Sequence, residues 1–102
     1  MSKKLKISFA DSALVDLQEV LEYYREQHVP HVGEKLVGDI ITDIELLGEQ
    51  PDMGRIVPEF ELSYLRELIR PPFRIVYRRD QNRIRIVRVW RSERMLILPD
   101  AY

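Results

Sequence analysis

The sequence predicts an α+β fold in which a helical hairpin covers one face of an antiparallel sheet. Two amphipathic helical patterns occupy the first half of the chain, strand-like alternation fills the last third, and turn residues separate the segments. With 102 residues, of which 45% are hydrophobic, the chain is long enough for one core and too short for two. We therefore expect one domain over residues 1–102, with the element order β-α-α-β-β-β.

The first predicted element is a short N-terminal strand. Leu5, Ile7 and Phe9 alternate with Lys6 and Ser8, which is the period of a half-buried strand. We expect this strand to join the same sheet as the strands near the end of the chain.

A helix follows the first strand. Asp11 or Ser12 is the predicted cap, since either side chain can accept a hydrogen bond from a free amide of the first turn. Beyond them, apolar residues recur at steps of three and four while acidic residues occupy the other side. The apolar stripe consists of Ala13, Leu14, Leu17, Val20, Leu21 and Tyr24.

A second helix of similar length begins at Pro30, whose ring cannot continue the first helix but suits the first turn of a new one. Its apolar pattern keeps the helical period through about Glu49. The pattern consists of Val32, Leu36, Val37, Ile40, Ile41, Ile44 and Leu47. Because the break between the helices is short, they should form an antiparallel hairpin, and the turn residues Pro51-Asp52-Met53-Gly54 end it.

Three strands are predicted over residues 65–69, 73–78 and 84–90. The connections between them are short, and Pro71-Pro72 marks a corner because proline cannot donate to a ladder. Short connections predict an antiparallel meander. We expect one face of the sheet to lie under the helices and the opposite, arginine-rich face to stay exposed or to bind a partner.

Charge is divided unevenly along the chain. Residues 65–102 contain ten arginines, no lysine and four acidic residues, which gives +6; residues 1–64 contain six basic and thirteen acidic residues, which gives −7. A cationic surface of this size attracts a polyanion such as nucleic acid, the ribosome or an acidic protein segment. The alternative is that the basic sheet neutralises the acidic helices packed on it.

Several kinds of chemistry are not expected. The chain has no cysteine, which excludes disulfides and thiolate chemistry and fits a reducing cytoplasm. His28 and His31 flank Pro30 without ligand partners at suitable spacing, and the glycines are scattered, so we expect no metal site and no cofactor. No apolar run reaches the roughly 18 residues of a membrane span, and the start of the chain lacks the apolar core of a secretion signal. We therefore expect a cytoplasmic protein.

The arginines remain as the candidate functional groups. A guanidinium makes bidentate contacts with phosphate or carboxylate and stays charged at any physiological pH, and an indole can stack on a base. The candidate target-binding residues are Arg70, Arg74, Arg78, Arg88, Trp90, Arg91 and Arg94.

Taken in order, four segments resemble the RelE/ParE toxin superfamily, and the resemblance covers nearly the whole chain. They are PDMGRIVPE at 51–59, LREL at 65–68, FRIVYR at 73–78 and RIVRVW at 85–90. The resemblance implies the toxin of a type II toxin–antitoxin pair. Such a toxin is held inactive in a hetero-oligomer by a cognate antitoxin, whose C-terminal segment wraps around it.

The superfamily has two main activities. Its ribosome-dependent mRNA endonucleases use basic residues of the sheet and a C-terminal tyrosine or histidine, whereas its ParE branch blocks DNA gyrase and is not a nuclease. By resemblance, Arg74 matches the arginine that the nucleases place on phosphate, and Arg91 and Arg94 stand near their C-terminal basic cluster. These three arginines would be the catalytic residues if the chain were a nuclease.

The remaining nuclease residues are poorly matched. Arg66 and Glu67 stand where the nucleases carry paired lysines, Tyr102 lies several residues too late, and no histidine follows the last strand. Arginine stays protonated and cannot serve as a base. The acidic hairpin and the PDMGR turn favour the ParE branch, so we expect inhibition of DNA gyrase. A ribosome-dependent endonuclease acting on mRNA is the alternative, and a non-toxic basic binding module is a further one; whether the chain is an enzyme stays open.

The expected antitoxin combines an amphipathic helix with an extended acidic stretch. These would lie on the outer apolar positions of the hairpin and along an open sheet edge. The arginines that it would partly cover are Arg74, Arg78, Arg88, Arg91 and Arg94.

Overall fold

The structure, a computed structural model, describes residues 4–102. Its elements in chain order are β1 (Lys6–Phe9), α1 (Asp11–Glu26), α2 (Pro30–Leu46), β2 (Arg55–Ile56), β3 (Leu65–Arg70), β4 (Phe73–Arg79) and β5 (Arg83–Arg91). Residues 1–3 lie outside the described residues. The predicted domain begins with them, and so does the segment predicted not to be a secretion signal. Within the described range, no helix is long and apolar enough to cross a membrane.

The predicted α+β fold is confirmed. One five-stranded sheet has the order β1-β5-β4-β3-β2. The three long strands form the predicted antiparallel meander, and β1 joins the same sheet by pairing parallel with β5. The two-residue strand β2 pairs with β3 and was not predicted. Two residues are too few to show an alternating pattern, and the sequence around β2 is rich in turn residues.

The hairpin of α1 and α2 covers one face of the sheet and forms the main core with it. Most of the two predicted apolar stripes belongs to this core. Leu14 is an exception, with 45% of its surface exposed. The predicted cap of α1 is wrong: Ala10 is the N-cap, because Asp11 already lies in the helix and Ser12 donates its hydroxyl to the carbonyl oxygen of Val87 at 2.6 Å.

A second apolar cluster lies on the opposite face of the sheet, where an exposed arginine-rich surface was expected. Its buried members are Val57, Leu65, Val76, Val87 and Leu96. Leu62, Trp90, Leu98 and Tyr102 pack against them. The expectation of an exposed face is therefore wrong over this area, because the apolar side chains of β3, β4 and β5 are covered by segments before β3 and after β5.

The PDMG turn is held in place by Tyr77 of β4, which is fully buried. The amide of Gly54 donates to the Tyr77 hydroxyl at 3.0 Å, and that hydroxyl donates to the carbonyl oxygen of Pro51 at 2.8 Å. A Cβ at position 54 would lie 2.6 Å from the Glu67 carbonyl oxygen and 2.7 Å from the Tyr77 hydroxyl, so only glycine fits. Burial raises the pKa of Tyr77, which keeps the hydroxyl protonated as a donor. This part of the motif is therefore structural.

Replacing Tyr77 with phenylalanine tests this anchor. The substitution leaves the Gly54 amide and the Pro51 carbonyl without their partner, so we expect the free energy of unfolding to fall by about 1–3 kcal/mol in urea denaturation. Tyr23→Phe is the matched control, because Tyr23 is exposed, and it should change stability by less than about 0.5 kcal/mol. Equal effects from the two variants would contradict the anchor.

Candidate functional site

Helix α1 takes over from β1 as the neighbour of β5. Because β1 is shorter than β5, the edge of β5 beyond it would lack hydrogen-bond partners. Side chains of α1 supply them: Ser12 donates to the carbonyl oxygen of Val87, and the amide of Val89 donates to Oδ2 of Asp16 at 3.0 Å. The helix is thereby fixed beside the far half of β5.

Arg88 is part of the same attachment. Its Nη2 and Nε donate to Asp16 at 2.7 and 2.9 Å, and its Nη1 donates to the carbonyl oxygen of Ile97 at 3.1 Å. The guanidinium also lies 4.1 Å from the centre of the Trp90 ring, which is a cation–π distance. Asp16 is only 4% exposed. The contacts of Arg88 are therefore made within the protein.

Beyond this attachment, α1 and the end of β5 diverge and leave a cleft of about 460 Å³. The turn after β5 forms its third wall. The residues around it are Asp16, Glu19, Val20, Tyr23, Tyr24, Phe73, Val89, Trp90, Arg91, Glu93 and Arg94. Of the seven predicted target-binding residues, the cleft brings together Trp90, Arg91 and Arg94.

The cleft contains one arginine without an ion pair among the described residues, Arg94, together with an arginine–glutamate pair and aromatic rings. Arg94 is exposed, and within residues 4–102 no carboxylate forms a salt bridge with it. Arg91 donates from Nε to Glu93 at 2.5 Å and lies 5.6 Å from the centre of the Phe73 ring. The hydrogen bond from Arg91 lowers the pKa of Glu93, so this carboxylate stays ionised. Arg94 is the group best placed to meet an anionic or carbonyl-rich partner.

Sequence reasoning missed Tyr23 as a residue of this site. Tyr23 is 49% exposed and meets Tyr24 edge-to-face, with the ring centres 5.0 Å apart. Consecutive residues of a helix point about 100° apart, so two adjacent tyrosines cannot both face the core. The two adjacent tyrosines in the sequence could therefore have indicated that one of them lies on the surface.

Arg74 lies in a network with the protein's own carboxylates and is only 7% exposed. Its Nη1 and Nη2 donate to Glu59 at 2.6 and 2.8 Å, and its Nε donates to Glu67 at 2.6 Å. Arg55 donates to the second oxygen of Glu67 at 2.7 Å. Two arginines and two glutamates cancel, so this network is formally neutral. The expectation that Arg74 projects onto an open surface is wrong.

The Arg74 hydrogen bond lowers the pKa of Glu59, and the two carboxylates raise the pKa of Arg74. A carboxylate whose pKa is lowered by folding stabilises the protein above its unfolded pKa, and this contribution is lost as the pH falls through the folded value. The network therefore favours the folded state at neutral pH and weakens under acid conditions.

Two further predicted arginines are also paired. Arg70 forms a two-point ion pair with Asp43 of α2, with 3.0 Å between Nη2 and Oδ1. Arg78 donates to Asp80 at 2.8 Å and to the main-chain oxygen of Tyr102 at 3.0 Å. The predicted arginines therefore do not form one shared open surface.

Instead, three of these arginines neutralise carboxylates from the acidic first part of the chain. The pairs are Arg70 with Asp43, Arg74 with Glu59, and Arg88 with Asp16. The alternative considered for the uneven charge distribution, that the sheet neutralises the helices, therefore holds for Arg70 and Arg88, whose partners lie on α2 and α1; the partner of Arg74 lies in the segment between β2 and β3.

The groups that phosphodiester cleavage would need are not assembled around Arg74. Tyr102 packs against the second apolar cluster, and burial raises its pKa, which disfavours a phenolate base. His28 and His31 lie at the junction of α1 and α2 and not on the sheet strand that carries Arg74. Within residues 4–102, no group of three His, Cys, Asp or Glu side chains could hold a metal ion.

Comparison with known proteins addresses the family directly. Residues 7–96 match the family model described as "ParE toxin of type II toxin-antitoxin system, parDE". The chain belongs to the ParE toxin family. The match spans all of β1 except Lys6, the hairpin, the whole meander and the turn that carries Arg94.

A solved structure supports membership of the ParE family. It is titled "Chromosomal ParDE TA system from P. aeruginosa", and its chain is 26% identical to this one with a TM-score of 0.73. The similarity covers 90% of this chain and 100% of that chain. No curated protein sequence matches this chain.

Proposed function

We propose that this type II toxin stops DNA replication by inhibiting DNA gyrase in the cytoplasm, without enzymatic chemistry, and that a cognate antitoxin neutralises it. The observation that carries the proposal is the match to the ParE toxin family over residues 7–96. The proposal fits a protein in which the residues of the PDMG turn and the Arg74 network hold the fold together, while an open cleft offers binding groups.

The Arg74 network argues against the alternative, a ribosome-dependent mRNA endonuclease. A nuclease of that kind needs a free cation to stabilise the pentacoordinate phosphate and a group that can take a proton. Arg74 contacts Glu59 and Glu67 and has little exposed surface for a phosphate. No observation favours the nuclease over the gyrase inhibitor.

We assign target binding to the cleft, with Arg94 as its exposed cation and Trp90 and Arg91 beside it. Aromatic and arginine side chains supply most of the affinity in many protein interfaces. The other four residues predicted to bind the target lie outside the cleft. Arg88 holds α1 beside β5 through Asp16, at the edge of the cleft, whereas Arg70, Arg74 and Arg78 pair with carboxylates elsewhere in the fold.

An antitoxin that covers this cleft would block the same residues. The similar solved structure is titled as a ParDE toxin–antitoxin system, which supports an antitoxin partner for this chain. An acidic antitoxin segment that binds Arg94 should bind more weakly as salt rises. An affinity that is the same at low and high salt would contradict this arrangement.

Replacing Arg94 with alanine tests the proposed function. Because Arg94 is exposed and makes no ion pair within residues 4–102, the free energy of unfolding should change by less than about 0.5 kcal/mol. The toxin concentration for half-inhibition of gyrase supercoiling should rise about tenfold, as expected for an interface residue worth about 1.4 kcal/mol.

Arg25→Ala is the matched control, since Arg25 is exposed on α1 in a surface pair with Glu22. It should leave inhibition unchanged. In induced cells, thymidine incorporation should fall before translation does. Cleavage of mRNA on purified ribosomes with supercoiling intact would instead identify a nuclease. A chain without effect in either assay and without toxicity would be a binding module.

A further inference from the structure

A cluster of cations lies at the end of the sheet away from the cleft, on the face opposite the helices. Lys6 is paired in register with Arg83, and Arg85 is paired with both Ser8 and Arg78. Paired residues of adjacent strands point to the same face. The side chains of Lys6, Arg78, Arg83 and Arg85 therefore form one group across β1, β5 and β4, which we term the β1–β5 cationic patch.

The β1–β5 cationic patch is not neutralised as the Arg74 network is. Asp80 is the one side-chain carboxylate within residues 4–102 that forms a salt bridge with any of its four cations, and it is shared between Arg78 at 2.8 Å and Arg83 at 3.3 Å. Arg78 also donates to the main-chain oxygen of Tyr102 at 3.0 Å. Arg85 donates to the neutral hydroxyl of Ser8 at 3.2 Å. Four cations and one carboxylate leave a formal side-chain charge of +3.

The cations of the patch are also accessible. The Arg83 side chain is 70% exposed, Lys6 is exposed and Arg85 is partly exposed. The Ser8 hydroxyl holds one end of the Arg85 guanidinium and leaves its other N–H groups for a ligand.

The spacing of the patch fits a chain of anions better than a single small anion. Neighbouring strands lie about 4.8 Å apart, and alternate residues of one strand about 6.7 Å apart. Charges spread on this grid can contact successive phosphates of a backbone, each arginine through a bidentate fork. A protein partner would need apolar anchors; the Tyr64 ring lies 5.3 Å from the Arg78 guanidinium at one side of the patch, but Lys6, Arg83 and Arg85 surround only a serine.

We propose that the β1–β5 cationic patch binds the sugar–phosphate backbone of DNA without sequence preference. Such contacts supply affinity and orientation but carry no sequence information. This inference goes beyond the proposed function, since it concerns the opposite end of the sheet from the cleft. It would hold the toxin on the DNA on which its proposed target acts.

The test compares two double variants of the full chain that lose the same charge. Arg83→Ser with Arg85→Ser removes two patch cations, whereas Arg25→Ser with Lys35→Ser removes two exposed cations from the helices. Binding to a fluorescein-labelled DNA duplex of about 24 base pairs is followed by anisotropy at about 20–200 mM KCl. Each lost phosphate contact should reduce the slope of log affinity against log salt by about 1.

We therefore expect the patch variant to lose about 2 units of salt slope and about tenfold in affinity, while the helix variant matches the wild type. The proposal is overturned if the wild type does not bind the duplex, or if the two variants weaken equally. It is also overturned if the patch variant loses antitoxin binding but keeps DNA binding, because the patch would then belong to the antitoxin. Binding of naked DNA by a chain that does not inhibit gyrase would support the patch and reject the proposed function.

Discussion

Replacing Glu67 with alanine should lower the free energy of unfolding by about 3–5 kcal/mol, the usual cost of removing one partner of a buried ion pair. The Glu67 side chain is fully buried and accepts hydrogen bonds from both Arg74 and Arg55. Without it, the Nε of Arg74 stays inside the protein with no acceptor, while Arg55 can turn to solvent. The loss is therefore concentrated on Arg74.

Urea denaturation measures this loss directly, because the change in unfolding free energy follows from the shift of the midpoint at constant slope. Glu49→Ala is the control: Glu49 pairs with Lys4 on the surface at 3.8 Å, with both side chains more than half exposed. An exposed pair contributes only about 0–1 kcal/mol. A cost below about 1 kcal/mol for Glu67→Ala would contradict the buried network.

A double variant distinguishes the energy of the Glu67–Arg74 ion pair from the packing of the two side chains. Replacing Glu67 with leucine and Arg74 with methionine removes both charges and keeps similar volumes, which is often neutral or stabilising for a buried pair. We expect most of the lost stability to return. Glu59 and Arg55 are exposed enough to be solvated after the change.

The same double variant tests the role of Arg74. If Arg74 only ties the sheet to the segment that contains Glu59, the double variant should inhibit its target as the wild type does. A stable variant without toxicity would show that the Arg74 guanidinium contacts the target, and the assignment of target binding to the cleft would then be wrong.

Apart from the two-residue strand β2, the fold was predictable because each helix and strand has its own period. Leu5, Ile7 and Phe9 alternate as a strand, and the stripes of both helices recur at three and four residues. These patterns act locally, and short connections left few ways to arrange the elements. Leu14 shows the limit, since the stripe includes a position that α2 and the sheet do not cover.

The charged contacts were not predictable in the same way. Alternation places Arg74 and Arg78 on one face of β4, but it does not show which carboxylate each one meets. Asp16 and Arg88 are 72 residues apart in sequence and come together only when α1 docks against β5. The separation of basic and acidic residues along the sequence therefore predicted an open basic surface. Folding instead brings the two halves of the chain together, so that several of their opposite charges pair.

The cleft was partly predictable for a different reason. Trp90 and Arg91 lie where β5 ends and Arg94 lies in the turn that follows, where fewer elements of the fold are available to cover side chains. The wall formed by Tyr23 depends on the angle between α1 and β5, which has no sequence period. The covered second face likewise depends on Leu96, which lies outside regular structure.

Asp16→Ala should also cost about 3–5 kcal/mol of unfolding free energy, since it removes the acceptor of a largely buried arginine and of a main-chain amide together. Arg88, with a side chain 16% exposed, would lose both of its hydrogen bonds to Asp16. The amide of Val89 would lose its partner at the edge of β5. Strand β4 pairs with the other edge of β5, and β1 pairs only as far as Ile86, so within the described residues no strand lies on the side of the Val89 amide.

Asp16→Asn and Asp39→Ala are the matched controls. Asparagine keeps an oxygen that can accept from the Val89 amide but loses the charge that pairs with Arg88, so its cost should fall between alanine and the wild type. Asp39 pairs with Lys35 on the surface of α2, and its loss should cost about 0–1 kcal/mol. Equal costs for all three variants would contradict a specific role for Asp16.

Amide hydrogen exchange gives a readout that a general loss of stability does not. In Asp16→Ala the amide of Val89 should exchange through local opening, faster than the amides of Ile75 and Val76 in β4, which lies inside the sheet. Because Asp16 also lines the cleft, this opening should widen the gap between α1 and β5. If Val89 exchanged no faster than those β4 amides, α1 would not depend on Asp16 for its place beside β5, and the wall of the cleft would be held by its apolar contacts alone.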